Sequence, residues 1–227
     1  FDGSIGVELT TSRHVGLHRY TFRGPGPSSV LVSGGAVISA GSHTPGELSP
    51  SEPWNSGGVS VGGHLEAVSD RELVGRSDFR GGWGHHKPYS VYFAVRFSEP
   101  WDSIDLANRG GILPQVGFPL VLGEQCSAAL SFEPERGDAG SGGAEHDGEA
   151  RRLDVAVGIS FVSVARARDS IRREVGDRQF DEIREEARDE WDSHLDAVRT
   201  HGSETVRRVF ASSHYRLLAM PTDLGID

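Results

Sequence analysis

Two stretches of this chain alternate between apolar and polar residues so regularly that they can hardly be anything but strands. In "YSVYFAVRF", Tyr89, Val91, Phe93, Val95 and Phe97 fall on one face of an extended backbone. In "LDVAVGISFVS", Leu153, Val155, Val157, Ile159 and Phe161 do the same. A third stretch, "VELTTSRHVGLHRYTF", keeps Val7, Leu9, Val15 and Leu17 on one parity and then moves Tyr20 and Phe22 to the other. That change predicts a bulge or twist near His18 and Arg19. Regular strands separated by turns, without intervening helices, predict an antiparallel β-sandwich over residues 1–163.

After Val164 the period lengthens to that of a helix. "ARARDSIRREV" predicts a short helix that closes near Gly176, and a second runs from about Asp177 to Arg199. Ile183, Ala187, Trp191 and Leu195 stand at four-residue steps with Val198 next, a single apolar stripe on a charged helix. On that stripe Trp191 reads as a packing anchor rather than a ligand platform. Ser203 is placed to cap a third helix carrying Val206, Val209, Phe210 and Leu217, with Pro221 just past its end. The fold class is therefore mainly β with C-terminal helices.

Charge narrows the partners. A net charge of -10 argues against nucleic acid or an anionic membrane surface, both of which need basic protein surface. Lys87 is the sole lysine among 23 basic residues, a bias that points to high-GC coding and a high-salt habitat. No apolar run approaches the roughly 18 residues of a membrane span. The chain opens at Phe1 with neither methionine nor an apolar leader, so its start has been processed away or it is part of a longer protein. The single cysteine, Cys126 in "LGEQCSAALSF", excludes an internal disulfide framework and reads as a small buried hydrophobe. "EPERGDAGSGGAEHDGEARR", between Phe132 and Leu153, has no periodicity and reads as a solvated loop.

Few constellations look chemical. His14 and His18 have the spacing of a helical metal pair, but on a strand four residues span roughly 13 Å, too far to share an ion. No phosphate-binding loop, nucleophile elbow, HExxH or dinucleotide fingerprint occurs. "GGWGHHKPYSVYF" at residues 81–93 is the most suggestive segment. It can be a glycine-permitted turn whose Trp83 covers the core edge, or a sugar-facing platform of Trp83 with His85 or His86. An indole stacks on the C–H face of a pyranose, and imidazoles bond its hydroxyls. A metal site is the third option, although adjacent histidines point to opposite sides of an extended chain.

Taken in order, several segments resemble glycoside hydrolase family 92, the calcium-dependent α-mannosidases. "VELTTSRHVGLHRYTF" is similar to a strand pair of its N-terminal sandwich. "ELVGRSDFRGGWGHHKPYSVYFAVRFSEPW" is similar to its Gly-Gly-Trp segment and following strand. "VAVGISFVSVARARDSIRREVGDRQFDEIREEARDEWDSHLDAV" is similar to its last sandwich strand and linker helices, and "VFASSHYRLLAMP" to its first barrel helix. Departures from the family pattern include Ala211, Ser212 and His214, and the glycine-rich segment ahead of the "ELT" strand is absent.

The resemblance implies a sandwich of the galactose-mutarotase-like supersandwich type at 1–163, lacking its N-terminal portion. It implies linker helices at 164–200 and, at 201–227, the first helix of a truncated (α/α)6 barrel. It further implies an exported glycosidase that hydrolyses terminal α-mannosides of mannose-containing glycans with inversion, aided by calcium. No position here matches the family's general acid, general base or calcium ligands. The chain would supply a scaffold and one wall, with Trp83, His85 and His86 as the carbohydrate-facing candidates, and its missing barrel as partner. A noncatalytic carbohydrate-binding sandwich and an inactive remnant are the competing readings.

Overall fold

A computed structural model describes residues 4–24, 26–35, 59–81, 87–113, 120–133 and 150–218. Among these residues eleven strands come first: β1 (Ile5–Thr11), β2 (Val15–Phe22), β3 (Ser28–Ser33), β4 (Val59–Ala67), β5 (Glu72–Arg80), β6 (Tyr89–Phe97), β7 (Ser103–Asn108), β8 (Gly111–Ile112), β9 (Leu120–Leu122), β10 (Ser127–Phe132) and β11 (Arg151–Ser160). Then follow α1 (Val164–Ser170), a π-helical turn (Ile171–Val175), α2 (Phe180–Leu195) and α3 (Glu204–Leu218). The strands form a seven-stranded sheet, β1-β2-β11-β6-β5-β4-β9, and a four-stranded sheet, β3-β10-β7-β8. Every described pairing is antiparallel, as the sequence predicts.

The large sheet has two apolar faces. One packs against the small sheet around Leu65, Leu73, Phe97, Leu130, Phe132 and Leu153. There Trp101 meets the Phe97 ring edge-on, with centroids 5.7 Å apart. The other face packs against the helices through Val15, Leu17, Ala94, Ala156, Ile171 and Phe180. This double coverage corrects the reading of β2. No bulge interrupts β2 at His18 or Arg19, because its register with both β1 and β11 is continuous. Val15, Leu17 and Arg19 point to the helix face and Tyr20 and Phe22 to the sandwich face, so each parity has its own core. The bulge lies instead in β4, between Ser60 and Gly62.

Glycine sets how closely α1 lies on the sheet. A Cβ on Gly158 of β11 would collide with the Ala167 carbonyl oxygen and press on Ile171. The π-helical turn ends at Gly176, whose φ of 57° is in the left-handed region that favours glycine, close to where the sequence ends that helix.

The second helix is shorter than its pattern. Phe180 and Ile183 are buried on the sheet, but from Ala187 onward the stripe leaves it. Trp191 is 36% exposed and packs on Tyr215 of α3, with ring centroids 4.8 Å apart, so it anchors the helix hairpin rather than the sandwich. Ser203 caps α3 as predicted, its Oγ accepting from the Val206 amide at 3.4 Å and its carbonyl from Arg207 at 3.0 Å. No residue of α3 is buried, and Val206, Val209 and Leu217 are exposed. At the end of β11, Ile159 and Phe161 are exposed rather than in the core.

Candidate functional site

What the helix face holds most firmly is the helical segment itself. Arg19 reaches it from the middle of β2. Its Nε and Nη2 donate to the two oxygens of Asp154 at 2.8 and 2.9 Å, and its Nη1 donates to Asp181 of α2 at 2.8 Å. The guanidinium lies over the Phe180 ring, 4.5 Å from its centroid. The Asp154 hydrogen bonds hold Arg19 further above its usual pKa, against the opposing effect of burial. At the other end, Glu174 of the π-helical turn receives Ser12 Oγ at 2.6 Å, the His14 amide at 2.9 Å and His14 Nδ1 at 2.7 Å. Burial alone would raise the Glu174 carboxyl, but these three donors outweigh it and hold it below the usual carboxylate range. Arg168 of α1 grips Glu72 of β5 with two 2.8 Å bonds, and Arg96 Nη2 donates to the Gly176 carbonyl at 2.8 Å.

A cleft of about 170 Å³ lies between residues 175–180 and the sheet, lined among others by Leu17, Arg96, Asp154 and Gln179. Arg96 and Asp154 are engaged by the fold as just described, so this cleft is a packing seam. A more open polar group sits farther along the same face, at the end of β4, β5 and β6. Ser90 Oγ donates to Asp78 Oδ1 at 2.6 Å, and Arg76 Nη2 donates to Asp78 Oδ2 at 2.9 Å. Asp78 and Ser90 are cross-strand partners at the base of the connection from β5 to β6. On the opposite face of the same strand ends, Phe79 and Tyr89 stack with centroids 5.6 Å apart.

The residues singled out from the sequence separate. Trp83, His85 and His86 lie outside the described residues, as does most of the glycine-rich segment after Glu133. The described residues that flank them in sequence end in the Phe79–Tyr89 pair, the last of the β5–β6 register, with Asp78–Ser90 one pair before it. His14 and His18 do not converge. His14 belongs to the Glu174 network, while His18 shares a 2.9 Å hydrogen bond with Tyr20 Oη on the sandwich face, and burial lowers its pKa. Cys126 is buried in the sandwich core, and burial pushes its thiol up, consistent with a small hydrophobe. Arg76, Asp78 and Ser90 did not stand out in the sequence. The one trace of them is the polar parity of "GRSDFR", where Arg76, Asp78 and Arg80 alternate with Gly75, Ser77 and Phe79.

Comparison with known proteins places this architecture. The family model described as the Glycosyl hydrolase family 92 N-terminal domain matches residues 1–160. The chain belongs to glycosyl hydrolase family 92. The model of the family 92 catalytic domain matches residues 166–225, so the family 92 boundary falls where the strands give way to α1. Solved structures share the fold. A family GH92 alpha-mannosidase of Bacteroides thetaiotaomicron superposes with a TM-score of 0.71 at 17% identity, over 93% of this chain and 24% of its own. An inverting GH92 mannosidase from Bacteroides thetaiotaomicron VPI-5482 gives 0.73 at 20% identity, over 97% and 25%. The GH92 glycosyl hydrolase ccman5 gives 0.70 at 24% identity, over 98% and 25%. The chain thus spans about a quarter of the length of these structures. The comparison with curated proteins gives no match.

Proposed function

We propose that this chain is the scaffold portion of an α-mannosidase that removes terminal α-mannosyl residues with inversion. The observation that carries the proposal is the uninterrupted order of the two family 92 matches, N-terminal domain at 1–160 and catalytic domain from 166. The names of the structural relatives, alpha-mannosidase and inverting mannosidase, support the reaction and its stereochemistry. In our division, residues 1–163 form the sandwich, 164–200 the linker helices and 201–227 the opening helix of a helical catalytic domain. The exposed Val206, Val209 and Leu217 then face that domain's remaining helices.

Inversion needs one carboxylic acid to protonate the leaving oxygen and one carboxylate to activate water on the opposite face of the sugar, about 6.5–9.5 Å apart. We assign neither role to this chain. Calcium would supply a Lewis-acidic hold on the sugar. Among the described residues no group of three or more His, Cys, Asp or Glu converges on one point, so they do not fit a calcium site and no step here passes through the ion. What the chain contributes is position. The Arg19, Glu174 and Arg168 contacts fix the linker helices on the sheet, and hence the direction in which the catalytic domain begins. The loop with Trp83, His85 and His86 forms a wall of the cleft, its indole stacking on the sugar and its imidazoles bonding hydroxyls.

The test is made in the whole protein. Proton NMR of the first product from an aryl α-mannoside should show β-mannose before mutarotation; α-mannose would contradict inversion. Trp83→Ala and His86→Ala should raise KM or lower kcat while Tm barely moves. A fall in Tm of several degrees with unchanged kinetics would make Trp83 a core residue.

A further inference from the structure

Asp78 is held firmly without being closed off. Its two oxygens accept from Ser90 Oγ and Arg76 Nη2, and each keeps a lone pair for one more donor. Space beside it is left by Gly62, its cross-strand partner in β4 at the bulge. Among the described residues, a Cβ on Gly62 would meet nothing nearer than Asp78 Oδ2, at 3.8 Å. Arg76 is also unfinished. Arg19, Arg151 and Arg168 each set both Nε and Nη2 on one carboxylate. Arg76 engages Asp78 through Nη2 alone; its Nε is buried without an acceptor among the described residues, and the open part of this 41% exposed side chain is its Nη end. A contact serving only to tie the sheet together would have no need of an open side at Gly62 or a half-used guanidinium.

We propose that Asp78, positioned by Arg76 and Ser90, binds a pair of neighbouring hydroxyls on a pyranose and contributes to sugar specificity. Asp78 and Arg76 cancel in charge, which disfavours a lone anion or cation. The set can both accept and donate, and vicinal hydroxyls do the same. The cluster stands at the base of the loop bearing Trp83, His85 and His86. It lies on the helix face, from which the chain leads into the catalytic-domain match. The ligand class rests on the glycosidase reading above; the geometry at Asp78 does not.

The experiment is calorimetry of the whole protein with methyl α-D-mannopyranoside, paired with kinetics on an aryl α-mannoside. Asp78→Asn should weaken binding and raise KM by about tenfold, the scale of one charge-assisted hydrogen bond, with Tm unchanged. Ser90→Ala should shift both in the same direction by less, and it keeps the test decisive if Asp78→Asn fails to fold. Unchanged Kd and KM overturn the proposal. So does a fall in Tm with Kd intact, which would make the cluster a contact to the catalytic domain. If the whole protein cleaves no α-mannoside, the glycosidase reading fails separately. Calorimetry with methyl α-mannoside, α-glucoside and α-galactoside then decides: binding lost in Asp78→Asn supports the site, and no binding of any of the three overturns it.

Discussion

Replacing Arg19 with methionine should loosen the helical segment from the sheet without unfolding the sandwich. Methionine keeps the apolar stem in place, so the loss is confined to the guanidinium. The two-pronged bond to Asp154 is charge-assisted and, with the Arg19 side chain 9% exposed, contributes about 1.5–3 kcal/mol. The contact over Phe180 contributes about 0.5–2 kcal/mol. The arm to Asp181 ends on an open carboxylate and adds little. Asp154 is 34% exposed and can be rehydrated, so the full penalty of a stranded buried charge is not incurred. The expected loss is about 2–4 kcal/mol. Urea denaturation of the chain at neutral pH reads the loss from the midpoint at constant slope. Hydrogen exchange should show α2 amides losing protection before those of β10. A loss under about 0.5 kcal/mol, or equal changes in α2 and β10, would refute the view that Arg19 clamps the linker.

Acid should loosen the other clamp. Glu174 has a depressed pKa when folded, so its contribution is present above the ordinary 4.5 and is lost as pH falls through the lower folded value. Glu174→Gln should reduce stability at pH 7 and flatten the acid limb of a stability–pH curve; an unaltered acid limb would contradict the network with Ser12 and His14. Gly158→Ala should cost about 1–3 kcal/mol by pushing α1 off the sheet, and a neutral result in denaturation would show that α1 has room to move. Trp191→Ala should cost about 1–2 kcal/mol, well below the 3–5 of a fully buried tryptophan, because the ring is 36% exposed and packs on Tyr215 of a helix that itself has no buried residue. A loss near 4 kcal/mol, read from the same urea curves, would mean the ring is covered in solution.

The regular elements were legible because each is written within its own segment. The alternation around Phe93 and Leu153, the stop at Gly176 and the cap at Ser203 need no knowledge of distant residues. The parity change in β2 was legible as a fact but misread as a bulge. A strand with one buried face must bulge to move its apolar residues across, and only the folded chain shows that this sheet is covered on both sides. The clamps were not legible at all. Glu174 meets Ser12 across 162 positions, and Arg19 meets Asp181 across 162 more of the same kind, and no local pattern marks such partners. Stripe residues such as Trp191 announced a helix face but not its neighbour, which the geometry divides between β1 and α3. Asp78 was hidden differently: its spacing is ordinary for a strand, and only the bulge and the glycine opposite set it apart.

The most direct test of the account is to assay this chain and the whole protein side by side on an activated aryl α-mannoside, each with and without calcium. On the function proposed above, which assigns neither the acid nor the base to this chain, the whole protein should turn over substrate in a calcium-dependent manner and the chain alone should show none. Calcium-dependent hydrolysis that copurifies with the 227-residue chain would contradict the account.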